Sequence, residues 1–263
     1  MKAISSAANP AFRSWLRLAT QPREARAQGR ALAEGLHLAQ AALDAGAGIE
    51  AVMLRQGGVG AETSRLAEAA LARGAAGYEL AAALYDRITP AEHGAGLMLV
   101  VEVPVHPLPA KARHDLLYLD GVQDPGNAGT VLRTAAAAGI REVLASPATA
   151  ALWAPKTLRA GQGAQFRLQL HENVGAAALP SVLDGAWIAA EARGAEPLWS
   201  ARLPAGPVGW VLGAEGAGVS AAARAACALS VCIPLGAAVE SLNVAAAAAV
   251  CLFERRRRLA APA

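Results

Sequence analysis

Cysteine is scarce in this sequence, and so is lysine. The three cysteines, Cys227, Cys232 and Cys251, all fall in the last 40 of 263 residues. An odd, low number without a CxxC spacing excludes a disulfide framework and a thiolate zinc site, and it suits a reduced, cytoplasmic compartment. The five histidines (His37, His93, His106, His114 and His171) form no HxxxH pair, so no metal is expected. Long hydrophobic runs are missing as well. The longest, Val244 to Phe253, has ten residues, against the roughly 20 that cross a bilayer. The opening stretch MKAISSAANPAFRSWL lacks the apolar core of a secretory signal, so no membrane partner is expected. Hydrophobic residues make up 54% of the chain, enough to bury a substantial core and exclude general disorder.

The net charge of +3 is unevenly spread. Residues 1–30 hold six cations (Lys2, Arg13, Arg17, Arg23, Arg26 and Arg30) and one acid, Glu24, for a local net of +5. The spacings 13/17 and 23/26/30 are helical, so each set can share a face. A basic face turned to solvent is the footprint of a polyanion binder, although a merely solvated helix surface would read the same way. Arginine outnumbers lysine 21 to 3 along the whole chain. That is a compositional bias, so arginine by itself is no signal.

The segment VEVPVHPLPAKARHD, 101–115, carries Pro104, Pro107 and Pro109. Three prolines so close resist both helix and central strand. The organisation expected is therefore a first domain over 1–104, a linker over 105–113 and a second domain over 114–263. Helical patterns dominate the first part (11–19, 23–45, 62–74 and 78–86), interrupted by apolar runs at Ile49–Leu54 and Leu97–Val103. The second part alternates helical segments with short apolar runs: Leu116–Leu119, Val143–Ala145, Trp187–Ala190, Val208–Leu212 and Val231–Leu235. Such runs predict a mainly parallel sheet with helices on both faces.

Three turns each follow a predicted strand, and ligands of open parallel sheets bind beyond the carboxyl ends of the strands. In the first, Asp124-Pro125-Gly126-Asn127 precedes a helix expected from Ala128 to about Ala138. Asn127 there is either an N-cap or a functional amide. Arg133, near the start of that helix, suits a phosphate or a surface salt bridge. In the second, Gly213-Ala214-Glu215-Gly216-Ala217-Gly218 lets backbone approach a ligand closely, with Glu215 as a lone acid among glycines. The spacing is GxxGxG, not the dinucleotide fingerprint GxGxxG, which disfavours a nicotinamide oxidoreductase. In the third, Ser241 and Asn243 precede an alanine-rich helix as caps or as site residues, and Arg255 to Arg258 sit where cations suit its dipole.

Together these turns resemble the signatures of the SpoU, or TrmH, family of RNA ribose methyltransferases. The matching blocks are Asn127-Ala128-Gly129-Thr130-Val131-Leu132-Arg133-Thr134-Ala135; Val211-Leu212-Gly213-Ala214-Glu215-Gly216-Ala217-Gly218; and Ile233-Pro234-Leu235 with Glu240-Ser241-Leu242-Asn243-Val244. Pro155 to Ala164 resembles a further family element, with Gly161 where the family has serine, and Ala237 stands where it has glycine. Asn9-Pro10 and Glu34-Gly35 resemble its RNA substrate-binding domain, an L30e-like α/β unit.

The resemblance implies an α/β methyltransferase domain with a deep trefoil knot, acting as a homodimer. The implied cofactor is S-adenosylmethionine, lined by Leu212, Gly213, Glu215, Gly218, Ile233, Leu235, Ser241, Leu242 and Val244. Asn127, Arg133, Glu215 and Asn243 are the implied catalytic set. Arg13, Arg17, Arg23, Arg26, Arg30 and Arg133 are expected to face RNA, ribosomal rather than transfer RNA. A guanidinium stays protonated, so Arg133 fits a phosphate clamp better than a base. The proton acceptor is left open among an RNA phosphate, Glu215 and water. The other reading is an RNA-binding assembly factor that keeps the fold without catalysis.

Overall fold

The computed structural model describes residues 1–89 and 94–260; His93 lies outside them. The chain divides into two compact units, residues 1–104 with 151–166, and residues 105–150 with 167–263.

The first unit begins with β1 (Lys2–Ile4), α1 (Pro10–Thr20), α2 (Glu24–Gln28), β2 (Arg30–Glu34), α3 (Leu36–Asp44) and β3 (Ile49–Arg55). It continues through α4 (Ala61–Ala72), β4 (Ala76–Leu80), α5 (Ala82–Ile88) and β5 (Leu97–Glu102). The strands form a mixed sheet in the order β1-β4-β3-β5-β2, with β5 antiparallel to both its neighbours. Helix α1 starts where Asn9 Oδ1 accepts from the amide of Ala11 at 2.9 Å, with Pro10 pre-set for the first turn. Its Phe12, Trp15 and Leu18 fall on one face and are buried against Leu32, Met53 and the α5 residues Leu84, Tyr85 and Ile88.

Two helical patterns read from the sequence are corrected here. The stretch 23–45 is broken by Gly29 (φ +64°) and Gly35 (φ +91°), and between them β2 pairs with β5. Both glycines adopt left-handed backbone that side chains avoid, so one helix cannot run through them. Arg30 therefore lies on a strand, paired with Glu50 at 2.7 Å, and shares no helix face with Arg23 and Arg26. Likewise 78–86 splits into β4 and α5, because Gly77 and Tyr78 pair with Val52 and Met53 in the sheet.

The second unit opens with β6 (Leu116–Asp120), α6 (Pro125–Ala138) and β7 (Glu142–Ala145). Next comes α7 (Pro155–Gly161), which belongs to the first unit with the rest of 151–166. The second unit then resumes with β8 (Gln169–Glu172), α8 (Leu179–Val182), β9 (Ala186–Glu191), β10 (Glu196–Pro197), β11 (Val208–Gly213), α9 (Ala221–Ala225), β12 (Leu229–Cys232) and α10 (Val244–Ala260). Every pairing is parallel, in the order β10-β12-β9-β11-β6-β7-β8. From β6 the chain builds outward through β7 and β8, then returns to build the other side. The strand order thus reverses beside β6, and an open parallel sheet binds ligands at such a reversal.

Buried Leu116, Tyr118, Leu144, Trp187, Ala189 and Val211 join one core on one face of the sheet. Tyr118 donates its hydroxyl to the Val174 carbonyl at 3.0 Å, and burial pushes its pKa up to about 12. Helix α10 packs on α6, and its position is fixed by Arg255. This buried guanidinium donates to Asp115 through Nε and Nη2 (3.0 and 3.3 Å) and to the carbonyls of Pro204 and Gly206 at 2.7 and 2.6 Å. Arg256 donates to the Ala137 carbonyl, while Arg257 and Arg258 hold Glu254. The arginine run is thus spent on internal contacts. Among the described residues no helix is long and apolar enough to cross a membrane.

Candidate active site

The carboxyl ends of β9, β11 and β12, together with the start of α10, enclose a cavity of about 340 Å³. Leu212, Gly213, Glu215, Gly218, Ile233, Leu235, Ser241, Leu242 and Val244, drawn from two separate sequence blocks, all stand in its wall. The glycine turn is shaped by reciprocal backbone hydrogen bonds between Ala214 and Gly218, at 3.0 and 2.9 Å. Gly213 has no room for a side chain: a Cβ there would lie 2.1 Å from the Gly218 carbonyl carbon and 2.3 Å from the Val219 nitrogen. The turn is anchored from below by Asp120 at the end of β6, whose Oδ2 accepts from the Ser220 amide at 2.7 Å.

The first turn is capped differently from the sequence reading. Helix α6 begins at Pro125, and Asp124 is its N-cap, with Oδ1 accepting from the Asn127 amide at 2.7 Å. Asn127 is two residues inside the helix, so its side chain is not consumed by capping. Its Nδ2 donates to Glu215 Oε1 at 2.7 Å, and its Oδ1 accepts from Asn243 Nδ2 at 2.9 Å. Asn243, in turn, caps α10: its Oδ1 accepts from the Ala245 amide at 2.9 Å and its carbonyl from Ala247 at 2.9 Å. Ser241 does not cap this helix. One residue from each of the three turns thus joins a hydrogen-bonded chain, Glu215–Asn127–Asn243. Only Glu215 of the three lines the cavity as well.

Arg133 stands apart from this chain. Because α6 starts at Pro125, Arg133 lies in its third turn, about 12 Å from the first helical residue at 1.5 Å per residue. It is exposed, and makes no hydrogen bond or ion pair with the described residues. In the first unit Arg13, Arg17, Arg23 and Arg26 are exposed, and Arg17 approaches Glu24 at 3.5 Å. Gly161 lies in the first unit and lines no part of the cavity; a Cβ there would fall 2.6 Å from Oε1 of the buried Gln165. Among the described residues no group of three or more metal-ligating side chains is gathered.

Sequence reasoning missed three charged residues of the cavity wall: Glu191, Arg193 and Glu240. Glu191 immediately follows the apolar run 187–190, so its place at a strand's carboxyl end was a usable signal. The meeting of Arg193 and Glu240 at 3.6 Å was not, since it joins two loops 47 residues apart.

The family model described as the SpoU rRNA Methylase family matches residues 115–253. The chain is 33% identical over 265 residues to the 23S rRNA (guanosine(2553)-2'-O)-methyltransferase RlmP of Bacillus subtilis (strain 168), covering 97% of this chain and 100% of the relative. It is 37% identical over 153 residues to the 23S rRNA (guanosine-2'-O-)-methyltransferase RlmB of Coxiella burnetii, covering 56% of this chain and 60% of that one. Its structure superposes on the AdoMet-bound rRNA methyltransferase of Sinorhizobium meliloti with a TM-score of 0.85 at 26% identity, covering 99% of both chains. The chain belongs to the SpoU rRNA methylase family.

Proposed function

We propose that this protein transfers a methyl group from S-adenosylmethionine to a ribose 2'-hydroxyl of ribosomal RNA. The observation that carries the reading is the chain Glu215–Asn127–Asn243 beside a cavity whose wall gathers all nine residues expected to line a cofactor site. The relatives named above, which share the family and the fold, support ribosomal over transfer RNA.

The residues present fit this cofactor on two counts. The cavity carries backbone at Gly213 and Gly218, and a Cβ at Gly213 would clash within the turn, so a flat ring and its amide-recognised edges can approach that backbone closely. Its charged lining is Glu191, Glu215 and Glu240 against the single cation Arg193, an excess of carboxylate suited to a ligand with sulfonium and ammonium groups. When bound, S-adenosylmethionine supplies a methyl group on a cationic sulfur, which is electrophilic without a metal.

The chain's own residues then have three tasks. They position a ribose hydroxyl, take or pass on its proton, and stabilise the oxygen as it gains negative charge. Asn127 holds Glu215 and Asn243 in one arrangement, leaving Glu215 as a carboxylate acceptor at the cavity. Arg133, uncommitted to any partner among the described residues, serves as a phosphate clamp and a source of positive charge. The exposed arginines of the first unit supply RNA affinity through phosphate contacts. We further infer a homodimer and a knotted C-terminal path, both as the family resemblance implies; in the second unit α10 returns from β12 to pack against α6. The test is methyl transfer from labelled S-adenosylmethionine to 23S rRNA and to transfer RNA, followed by mapping of 2'-O-methyl positions. Label on 23S rRNA alone is expected; label on transfer RNA alone, or cofactor binding without transfer to either RNA, overturns the reading.

A further inference from the structure

Glu191 closes β9 at its carboxyl end and stands in the cavity wall. Its side chain is only 14% exposed. One oxygen, Oε1, accepts from Arg224 Nε at 2.6 Å, and the same guanidinium donates through Nη2 to the Val219 carbonyl at 2.9 Å. Arg224 thus ties α9 and the end of the glycine turn to this carboxylate. The other oxygen, Oε2, makes no hydrogen bond with the described residues. It faces Gly218, where a Cβ would lie 3.7 Å from it. This oxygen keeps access to the cavity and is open to a donor from a bound ligand.

The surroundings narrow the class of donor. Glu215 and Glu240 are the exposed acids of the cavity; Glu240 is 89% exposed, with Arg193 at 3.6 Å. Glu191 is the recessed one, and Arg224 already compensates its charge. The same wall carries apolar Ala190, Leu212, Val231, Val244 and Ala247, with Leu212 and Val231 paired across the sheet from Ala190, the residue before Glu191. A cationic ammonium or sulfonium gains more from the less compensated acids. A compensated carboxylate in an apolar recess is better matched to a neutral hydroxyl, whose hydrogen bond it strengthens without needing a counter-ion.

We propose that Glu191 is the ribose-recognition residue of the cavity: its free carboxylate oxygen accepts a hydroxyl of the cofactor's adenosine ribose. The proposal rests on the cofactor reading above. The bland alternative is that Glu191 only holds Arg224, and so α9, in place. The two differ in what they do to ligand discrimination.

The test uses the full chain and calorimetric displacement of S-adenosylhomocysteine by adenosine, 2'-deoxyadenosine, 3'-deoxyadenosine and adenine. In the unmodified protein at least one deoxynucleoside should bind about 10- to 100-fold more weakly than adenosine, the loss expected for a hydrogen bond to a charged acceptor. In Glu191→Gln that ratio should shrink towards one, with adenine binding unchanged. Equal affinities for the three nucleosides in the unmodified protein overturn the proposal. So does a Glu191→Gln protein that weakens all four probes alike and keeps the ratio, which is the signature of a scaffolding role. If Glu191→Gln fails to fold, Glu191→Asp, which keeps the charge but withdraws the oxygen, takes its place, and the ratio should shrink in the same way. Failure of S-adenosylhomocysteine itself to bind overturns the cofactor reading first, and is distinguishable because no probe then competes.

Discussion

Asn127 donates its side-chain amide to Glu215 at 2.7 Å across 88 residues of sequence, and accepts from Asn243 on its other atom. An amide used on both sides in this way holds two loops in register, and its loss is felt at both. Asn127→Ala should lower the methyl-transfer rate about 10²- to 10³-fold, the range seen when one positioned polar group of a reacting site is removed. Cofactor affinity should change little, because Asn127 is not part of the cavity wall. Asn243→Ser keeps an oxygen to cap α10 while losing the reach to Asn127. If the chain works as a unit, the double variant should be scarcely slower than Asn127→Ala alone. Single-turnover rates of the three proteins decide; strictly multiplicative losses count against a connected unit.

For Arg133 the expectation separates a clamp from a base. Arg133→Lys keeps a cation but loses the two-pronged guanidinium, so a rate loss of roughly 10- to 1000-fold is expected, and Arg133→Ala should lose more. Neither should weaken cofactor binding. A clamp leaves the shape of the pH–rate profile unchanged and lowers only its amplitude. A basic limb displaced to lower pH in the lysine variant would show that Arg133 accepts the proton.

Arg255 and Asp115 are both largely withdrawn from solvent, with side chains 7% and 17% exposed. Removing one member of a buried pair strands the other, at a cost of roughly 3–5 kcal/mol. Arg255→Ala should therefore destabilise the protein severely. Arg256→Ala, which gives up one exposed hydrogen bond to the Ala137 carbonyl, should be close to neutral. Denaturant midpoints compare the two, and equal midpoints would remove Arg255 as the clamp on α10.

His171 is buried beside Glu142, at 3.3 Å. Burial holds its pKa below the ordinary 6.5, outweighing the favourable hydrogen bond and charge of Glu142. The folded state thus prefers neutral His171. The associated stability is present above pH 6.5 and is lost as pH falls from there toward the lowered folded value, where the unfolded chain binds the proton more readily. His171→Gln should lose less stability than the unmodified protein between pH 7 and pH 5. Parallel unfolding curves over that interval would remove this group from the acid response.

The first unit's basic surface makes a prediction about salt. Arg13→Ala, Arg23→Ala and Arg26→Ala combined should weaken RNA binding and reduce the salt slope of log affinity by about one for each RNA phosphate no longer neutralised. Simple deletion of 1–104 is the poorer experiment. Residues 151–166 belong to the same unit, and the deletion would strip cover from buried Leu152, Trp153 and Leu158. That truncated chain should aggregate or lose stability, whatever its RNA affinity. An unchanged slope in the triple variant would place the RNA surface elsewhere.

Sequence alone determined the alternation of strands and helices after residue 115, because a strand buried on both faces must be apolar throughout, as Leu116–Asp120 and Val208–Gly213 are. It also picked out the three turns and their polar residues, since glycine clusters and lone acids or amides at strand ends have few structural explanations. It misread Arg30–Glu34 and residues 78–80 as helix, because strands this short carry too little period-two signal; the pairing with β5 and β3 decided them. The edge strands β8 and β10 went unseen for a related reason. One is polar and four residues long, the other has two residues, and their conformation comes from the ladder they join. Only tertiary structure could show that Asp124 relieves Asn127 of capping, that Arg255 is spent inside the molecule, and that 151–166 leaves the unit into which it is threaded in sequence. Each of these depends on which distant partner occupies the space beside a side chain. Hydrogen bonds and burial are properties of that space, whereas periodicity and turn chemistry are properties of the chain.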